Sequence, residues 1–181
     1  AGIATVIATF GGECSRQEVE GQTAWLKSRP AVDALIALGG GKTLDAGKSI
    51  AHRLGVPVVV MPTLASNDAP CTALSVLYTP EGATESYEVF DQSPALVLVD
   101  TEIIAQAPAR FLVAGIGDAM STWYEARACQ QNPAGISLFG VRPTLAGAAL
   151  AEMCARTLFK YGVEAVAAVE ARNVNSALEH I

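Results

Sequence analysis

A short apolar run, Ala34 to Leu38, leads into Gly39-Gly40-Gly41-Lys42-Thr43-Leu44-Asp45, where three glycines meet the start of an amphipathic helix. Residues without a Cβ let the backbone turn sharply and approach a ligand closely. The first N–H groups of the following helix point at whatever lies there, so an anion such as a phosphate is the natural guest. Two glycine motifs fail here: the Walker pattern needs a Gly where Ile36 stands, and the dinucleotide fingerprint needs a Gly or Ala where Leu44 stands. Taken alone, the glycines also suit a plain turn before a helix. A second chemistry-bearing stretch is Pro62 to Cys71, reading Pro-Thr-Leu-Ala-Ser-Asn-Asp-Ala-Pro-Cys. Its polar residues form turns for local reasons, but a polar loop after a strand is also where open α/β sheets bind ligands. A third is Gly115-Ile116-Gly117-Asp118, one acid in a largely apolar helical region. One carboxylate is no metal site, since catalytic zinc takes three protein ligands, so by itself Asp118 also reads as a hydrogen-bonded helix acid.

The elements that position these residues follow from periodicity. Residues 3 to 10 are apolar and β-branched and end at Gly11-Gly12, which predicts a buried strand. Ser15-Arg16-Gln17-Glu18 is a capping box, predicting a helix to about Ser28 before Pro30. Strand Ala34 to Leu38 feeds the glycine loop. Helix Thr43 to Leu54 puts Leu44, Gly47, Ile50, Ala51 and Leu54 on one face and Lys48, His52 and Arg53 largely elsewhere, and Gly55 ends it. Strand Val56 to Met61 completes a βαβ unit with a parallel sheet. Thr72 to Thr79 and Tyr87 to Phe90 read as hairpin arms, and Ala95 to Val99 as one more buried strand. After Pro108 only helical spacing remains: Phe111 to Gln130, about Pro143 to Tyr161, and Val163 onward. The fold class expected is α/β, an incomplete Rossmann-like parallel-sheet domain over residues 1–107, followed by a truncated all-helical domain over residues 108–181.

The chain of 181 residues is 51% hydrophobic and carries a net charge of −6, enough to bury a core and poorly suited to nucleic acid or an anionic membrane surface. Cys14, Cys71, Cys129 and Cys154 show no metal-type pairing and fit a reducing cytoplasm. Cys71, in the polar loop, reads as a small buried thiol more readily than as a reactive one. The chain opens without Met inside an apolar run and stops after a helical stretch, as an internal fragment would.

The three stretches together resemble the glycerol dehydrogenases of the iron-containing, or group III, polyol dehydrogenase family. The likeness runs through Phe10 to Ser15, Gly39 to Asp45, Pro62-Thr63 with Ala65-Ser66, Asp68 to Cys71, Ala73 to Val76 and Gly115 to Ala119. It implies an NAD-binding domain and a helical domain holding a divalent metal, usually zinc. Gly41, Lys42, Thr43, Leu44 and Asp45 would bind the pyrophosphate, with Gly39 and Gly40 also in the cofactor site. Thr63, Ser66, Thr72, Leu74 and Tyr78 would line the rest of the cofactor site. Asp68 would contact glycerol and fix which carbon faces the nicotinamide, and Asp118 would be the first metal ligand. The implied reaction is oxidation of glycerol to dihydroxyacetone, the metal acting as a Lewis acid on the substrate alkoxide.

The resemblance also marks departures. The family's remaining ligands are histidines beyond the point matching Ile181, and neither His52 nor His180 matches them; the residues before Ala1 would include the acid beside the adenosine ribose. The 181 residues alone are therefore expected to lack dehydrogenase activity. Asn67 and Thr72 stand where the group more often has Thr and Ser. Alternatives remain: a related metal-dependent polyol or glycerol-1-phosphate dehydrogenase, or a non-catalytic nucleotide-binding module with Ala-rich helices as subunit contacts. Pro62 to Tyr78 contains no Lys or Arg, which favours a neutral polyol over a phosphorylated one. A homo-oligomer without nucleic-acid or membrane partners is expected.

Overall fold

Ser15 starts the first helix as its sequence dictates. Its hydroxyl accepts from the Glu18 amide at 3.2 Å, capping α1 (Arg16–Lys27), while Glu18 Oε1 reaches back to the Gly11 amide at 2.9 Å rather than to that of Ser15. β1 (Leu35–Gly39) runs into α2 (Gly41–Leu54), which Gly55 closes in the left-handed conformation at φ +69°. β2 (Val58–Pro62) lies parallel to β1, with Leu35 opposite Val58 and Gly39 opposite Pro62. β3 (Leu74–Tyr78) and β4 (Thr84–Val89) form a separate antiparallel hairpin. β5 (Leu96–Val97) joins β2 in parallel, giving the order β1-β2-β5. These contours come from a computed structural model of the chain, which describes residues 2–137 and 140–181.

The chain forms two compact units: Ala1–Pro62 with Ala69–Val99, and Thr63–Asp68 with Asp100–Ile181. In the first, α2 is a central helix. Leu44 packs with Ala37 and Val60 of the sheet, while Ala46 and Ile50 pack with Cys14, Val19 and Leu77 on the side of α1 and β3. Val19, Leu44, Val60 and Leu77 are fully buried, each contributing about 1.5–3 kcal/mol over an exposed position. Residues 44 to 51 of α2 are buried without interruption, so the helix is not the one-sided amphipathic element its spacing predicts.

In the second unit Asp100 caps α3 (Thr101–Gln106) by accepting from the amides of Glu102 and Ile103. α4 (Ala109–Gln131), α5 (Leu145–Glu170) and α6 (Ser176–His180) follow. Their core joins Ile104, Leu112, Ala165, Val169 and Leu178, with Ala65 of the 63–68 segment packed against it. The chain passes between units at Val99 and Asp100, and α3 spans the interval up to the domain boundary read from sequence at 107.

Two expectations are corrected and one element is added. Residues 3 to 10 form no strand: they pair with none of the described strands, and Ile3 and Ile7 are exposed. The two helices expected either side of Gly162 are one, α5, because Gly162 is buried where α5 lies against Ile116 of α4, and helical packing carries the backbone through. Helix α3 has a capping signal, Asp100-Thr101-Glu102, that its short apolar stretch concealed.

Candidate functional site

The glycine loop is built where the sequence puts it, at the carboxyl end of β1. Gly39 has φ +157°, and a Cβ there would fall 2.7 Å from Thr43 Oγ1, so only glycine suits the position. Gly40 caps α2 from an extended conformation with no side chain to meet the first-turn amides. The positive end of a fourteen-residue helix is thus presented to the loop, an arrangement that suits a diphosphate. Lys42 Nζ lies 2.6 Å from Glu13 Oε2 and 4.7 Å from the centre of the Tyr78 ring, bringing two of the predicted cofactor residues together. Burial, and then the charge of Asp45, raises the Tyr78 phenol above its usual range, with Lys42 opposing. Thr43 is half-buried, and the Leu44 side chain is buried against the sheet, so only its backbone faces the loop's task.

Asp45 is turned inward. Its Oδ1 pairs with Lys48 Nζ at 2.9 Å, its Oδ2 accepts from the Val76 amide at 3.1 Å, and its carbonyl accepts from the Ser75 hydroxyl at 2.8 Å. Lys48, whose side chain is 2% exposed, also donates to the carbonyls of Ala69 at 2.8 Å and Thr72 at 3.3 Å, to Thr72 Oγ1 at 3.2 Å, and to the Leu74 carbonyl. The sequence reading placed Lys48 off the packed face, and the structure corrects this. A second layer on α2 buries the position, and the ammonium is tolerated because a carboxylate and a ring of carbonyls replace its water. The pattern Asp45-x-x-Lys48, one helical turn apart, is the signal that could have found it.

The second unit holds the other predicted residues. The Asp68 amide donates to Asp118 Oδ2 at 3.1 Å, so the two acids assigned to substrate and metal lie side by side, both exposed. Gly115 makes this approach feasible: a Cβ there would stand 2.3 Å from the Ala65 carbonyl oxygen and 3.3 Å from the Ser66 carbonyl carbon. Thr63 and Ser66 are half-buried on the same segment. Among the described residues no three of His, Cys, Asp and Glu gather as a metal-binding group. Asp118 offers one donor and does not close a metal site.

The four cysteines are free, and Cys71 is exposed, against the buried thiol expected. Its neighbours Ala69, Thr72 and Leu74 turn their carbonyls inward to Lys48, which leaves the side chain of Cys71 outside. Among the described residues no helix is long and apolar enough to cross a membrane.

Residues 1–101 match the family described as Iron-containing alcohol dehydrogenase. The chain is 48% identical over 181 residues to a glycerol dehydrogenase of Escherichia coli, covering 100% of this chain and 49% of that protein. It is 49% identical over 172 residues to one of Thermotoga maritima, covering 95% and 46%. The crystal structure of glycerol dehydrogenase from Schizosaccharomyces pombe superimposes with a TM-score of 0.86 at 38% identity, covering 96% of this chain and 43% of that one. The chain spans about half the length of the curated relatives it matches. With a parallel sheet feeding a glycine loop, a helical unit carrying Asp118, and these likenesses, the chain belongs to the iron-containing alcohol dehydrogenase family.

Proposed function

We propose that this chain is part of an NAD-dependent glycerol dehydrogenase that oxidises glycerol to dihydroxyacetone in the complete protein. The observation that carries the reading is the Asp68 amide on the Asp118 carboxylate, which sets the residue assigned to substrate beside the one assigned to metal. The names of the relatives support the same substrate.

The glycine loop fits NAD. The α2 amides and Lys42 would hold the pyrophosphate, and Thr72, Leu74 and Tyr78 of the same unit would line more of the cofactor site. Bound NAD supplies the hydride acceptor. Asp68 accepts a hydrogen bond from a glycerol hydroxyl and orients the carbon that reacts, a contribution through positioning. Asp45 ties α2 to β3 through the Val76 amide and pairs with Lys48 on the same helix. A divalent metal, zinc in this reading, would take Asp118 as one donor and would supply Lewis acidity; the described residues provide no closed site for it.

The cation nearest the 69–74 loop is the buried Lys48, already committed to protein oxygens, which disfavours a phosphorylated substrate. Cytoplasmic residence and a homo-oligomer belong to the same proposal. Free cysteines support the first, and exposed apolar side chains on α5, among them Leu150, Met153 and Phe159, support the second. The test is glycerol-dependent NADH formation by the full-length gene product, with and without a chelator. Activity lost on chelation and regained with zinc supports the reading. NAD binding with no turnover of glycerol overturns it in favour of a nucleotide-binding module.

A further inference from the structure

We infer that Lys48 is a positioning residue for the dinucleotide, holding the 69–74 segment in the one conformation that presents Thr72 and Leu74 to the cofactor. The inference rests on the NAD reading above and adds a residue that touches no ligand. An ammonium has three N–H donors, and here five oxygens converge on it, from Asp45, Ala69, Thr72 and Leu74. Three of those oxygens are main-chain carbonyls of a single loop, so the charge fixes backbone and not merely side chains. Residues 70 to 73 belong to no helix or strand, and the Ala73 carbonyl, accepting from the Phe90 amide at 2.9 Å, joins the end of this stretch to the β3–β4 hairpin. The Ala69 and Leu74 carbonyls, both on one ammonium, close this loop as a clasp closes a ring.

The same helix presents its N-terminus at Gly40 and its clasp at Lys48, two turns later. Asp45 sits between them and anchors β3 through the Val76 amide and the Ser75 hydroxyl. One rigid helix therefore sets the pyrophosphate loop and the 69–74 loop in a fixed relation, and the linkage runs through a buried charge. Arginine cannot replace it: a planar five-donor fork does not fit carbonyls converging on a point, whereas the compact ammonium does.

The test compares Lys48→Met, Lys48→Arg and Arg53→Met with wild type in the full-length gene product. Arg53→Met removes a different α2 cation, paired with Glu88 and not with the carbonyls of the 69–74 segment, and serves as the stability control. NAD binding is measured by titration calorimetry, and backbone order by amide hydrogen exchange. Expected for Lys48→Met is NAD affinity at least tenfold weaker, with residues 69–74 exchanging faster and α2 and β1 still protected. Lys48→Arg, which keeps the charge, is expected to fold and still bind at least tenfold more weakly, and it decides the matter should Lys48→Met fail to fold. Arg53→Met is expected to keep wild-type affinity. Near-wild-type NAD affinity in a folded Lys48 variant overturns the inference, as does an equal loss in Arg53→Met, which would make the effect one of stability. Absence of NAD binding by wild type overturns the functional reading instead, so the two failures are distinct.

Discussion

The backbone amide of Asp68 donates to Oδ2 of Asp118 at 3.1 Å, joining residues fifty positions apart in sequence. The polar loop after β2 is thereby fastened to α4 by the acid proposed to take a metal. Asn at position 118 keeps an oxygen that can accept from Asp68 but removes the charge. Asp118→Asn is expected to abolish divalent metal retention and glycerol oxidation in the full-length protein while lowering stability by less than about 1 kcal/mol. Metal analysis of the purified variant beside its thermal unfolding checks this, and a variant that keeps its metal and its turnover refutes the assignment.

Gly115→Ala should be costly although the change adds one methyl group. The new Cβ would meet main-chain oxygen and carbon of Ala65 at 2.3 and 2.9 Å, atoms that move only with the whole 63–68 segment. Overpacking of this kind destabilises by about 1–3 kcal/mol. The expected result is a lower melting temperature and a raised KM for glycerol, since the displaced segment carries Asp68. Gly117→Ala is the control, because a Cβ at Gly117 meets nothing within 4 Å. Equal effects at both positions would show that helical glycines, and not the loop, explain the loss.

What could be read in the sequence was local. The Ser15 cap, the glycine loop and the stop at Gly55 depend on residues within a few positions of one another, and each stands where its chemistry puts it. Asp68 and Asp118 were nameable as site residues only through the family likeness, because their contact joins two distant stretches. Lys48 was misplaced for a physical reason: helical spacing identifies one apolar face, but α2 is covered on a second side by α1 and β3, and that layer is not encoded within α2. Beyond Asp45, the carbonyls that make its burial tolerable arrive 21 to 26 residues later. The break expected near Gly162 failed likewise, since the partner that closes over it, Ile116, lies on another helix.

The cysteines should differ sharply in reactivity. Cys14 is fully buried, and its thiol is pushed up to about 12, chiefly by burial, with Asp45, Glu88 and Glu13 adding and Lys48 opposing. At pH 8 its thiolate fraction is on the order of 10⁻⁴, and the thiolate is the reacting form. Cys71 is exposed. Iodoacetamide at pH 8 followed by peptide mass analysis should show Cys71 modified while Cys14 stays intact until denaturant is added. Early labelling of Cys14 would contradict the packing of α1 and β3 around it.

Arg53 and Glu88 tie the carboxyl-terminal half of α2 to β4 and give the first unit a distinct acid sensitivity. Arg53 Nη1 donates to Glu88 Oε2 at 2.8 Å, Nη2 pairs with Oε1, and Nη1 also reaches the Ser49 carbonyl at 3.0 Å. Both side chains are mostly shielded, at 23% and 21% exposure. The hydrogen bond from Arg53 holds the Glu88 carboxyl below the usual glutamate range, although burial pulls the other way; the same bond raises Arg53. A carboxylate depressed in the folded state contributes stability that is fully present above its unfolded value, about 4.3, and is lost as pH falls through the lower folded value. Glu88→Gln removes the charge at every pH and should cost about 1 kcal/mol near neutrality, a figure reduced for partial exposure. Its melting temperature should converge on that of wild type as pH falls from about 5 toward 3, because wild type then loses what the variant already lacks. Curves that stay parallel through that window would mean that the bridge holds β4 to α2 without any charge contribution.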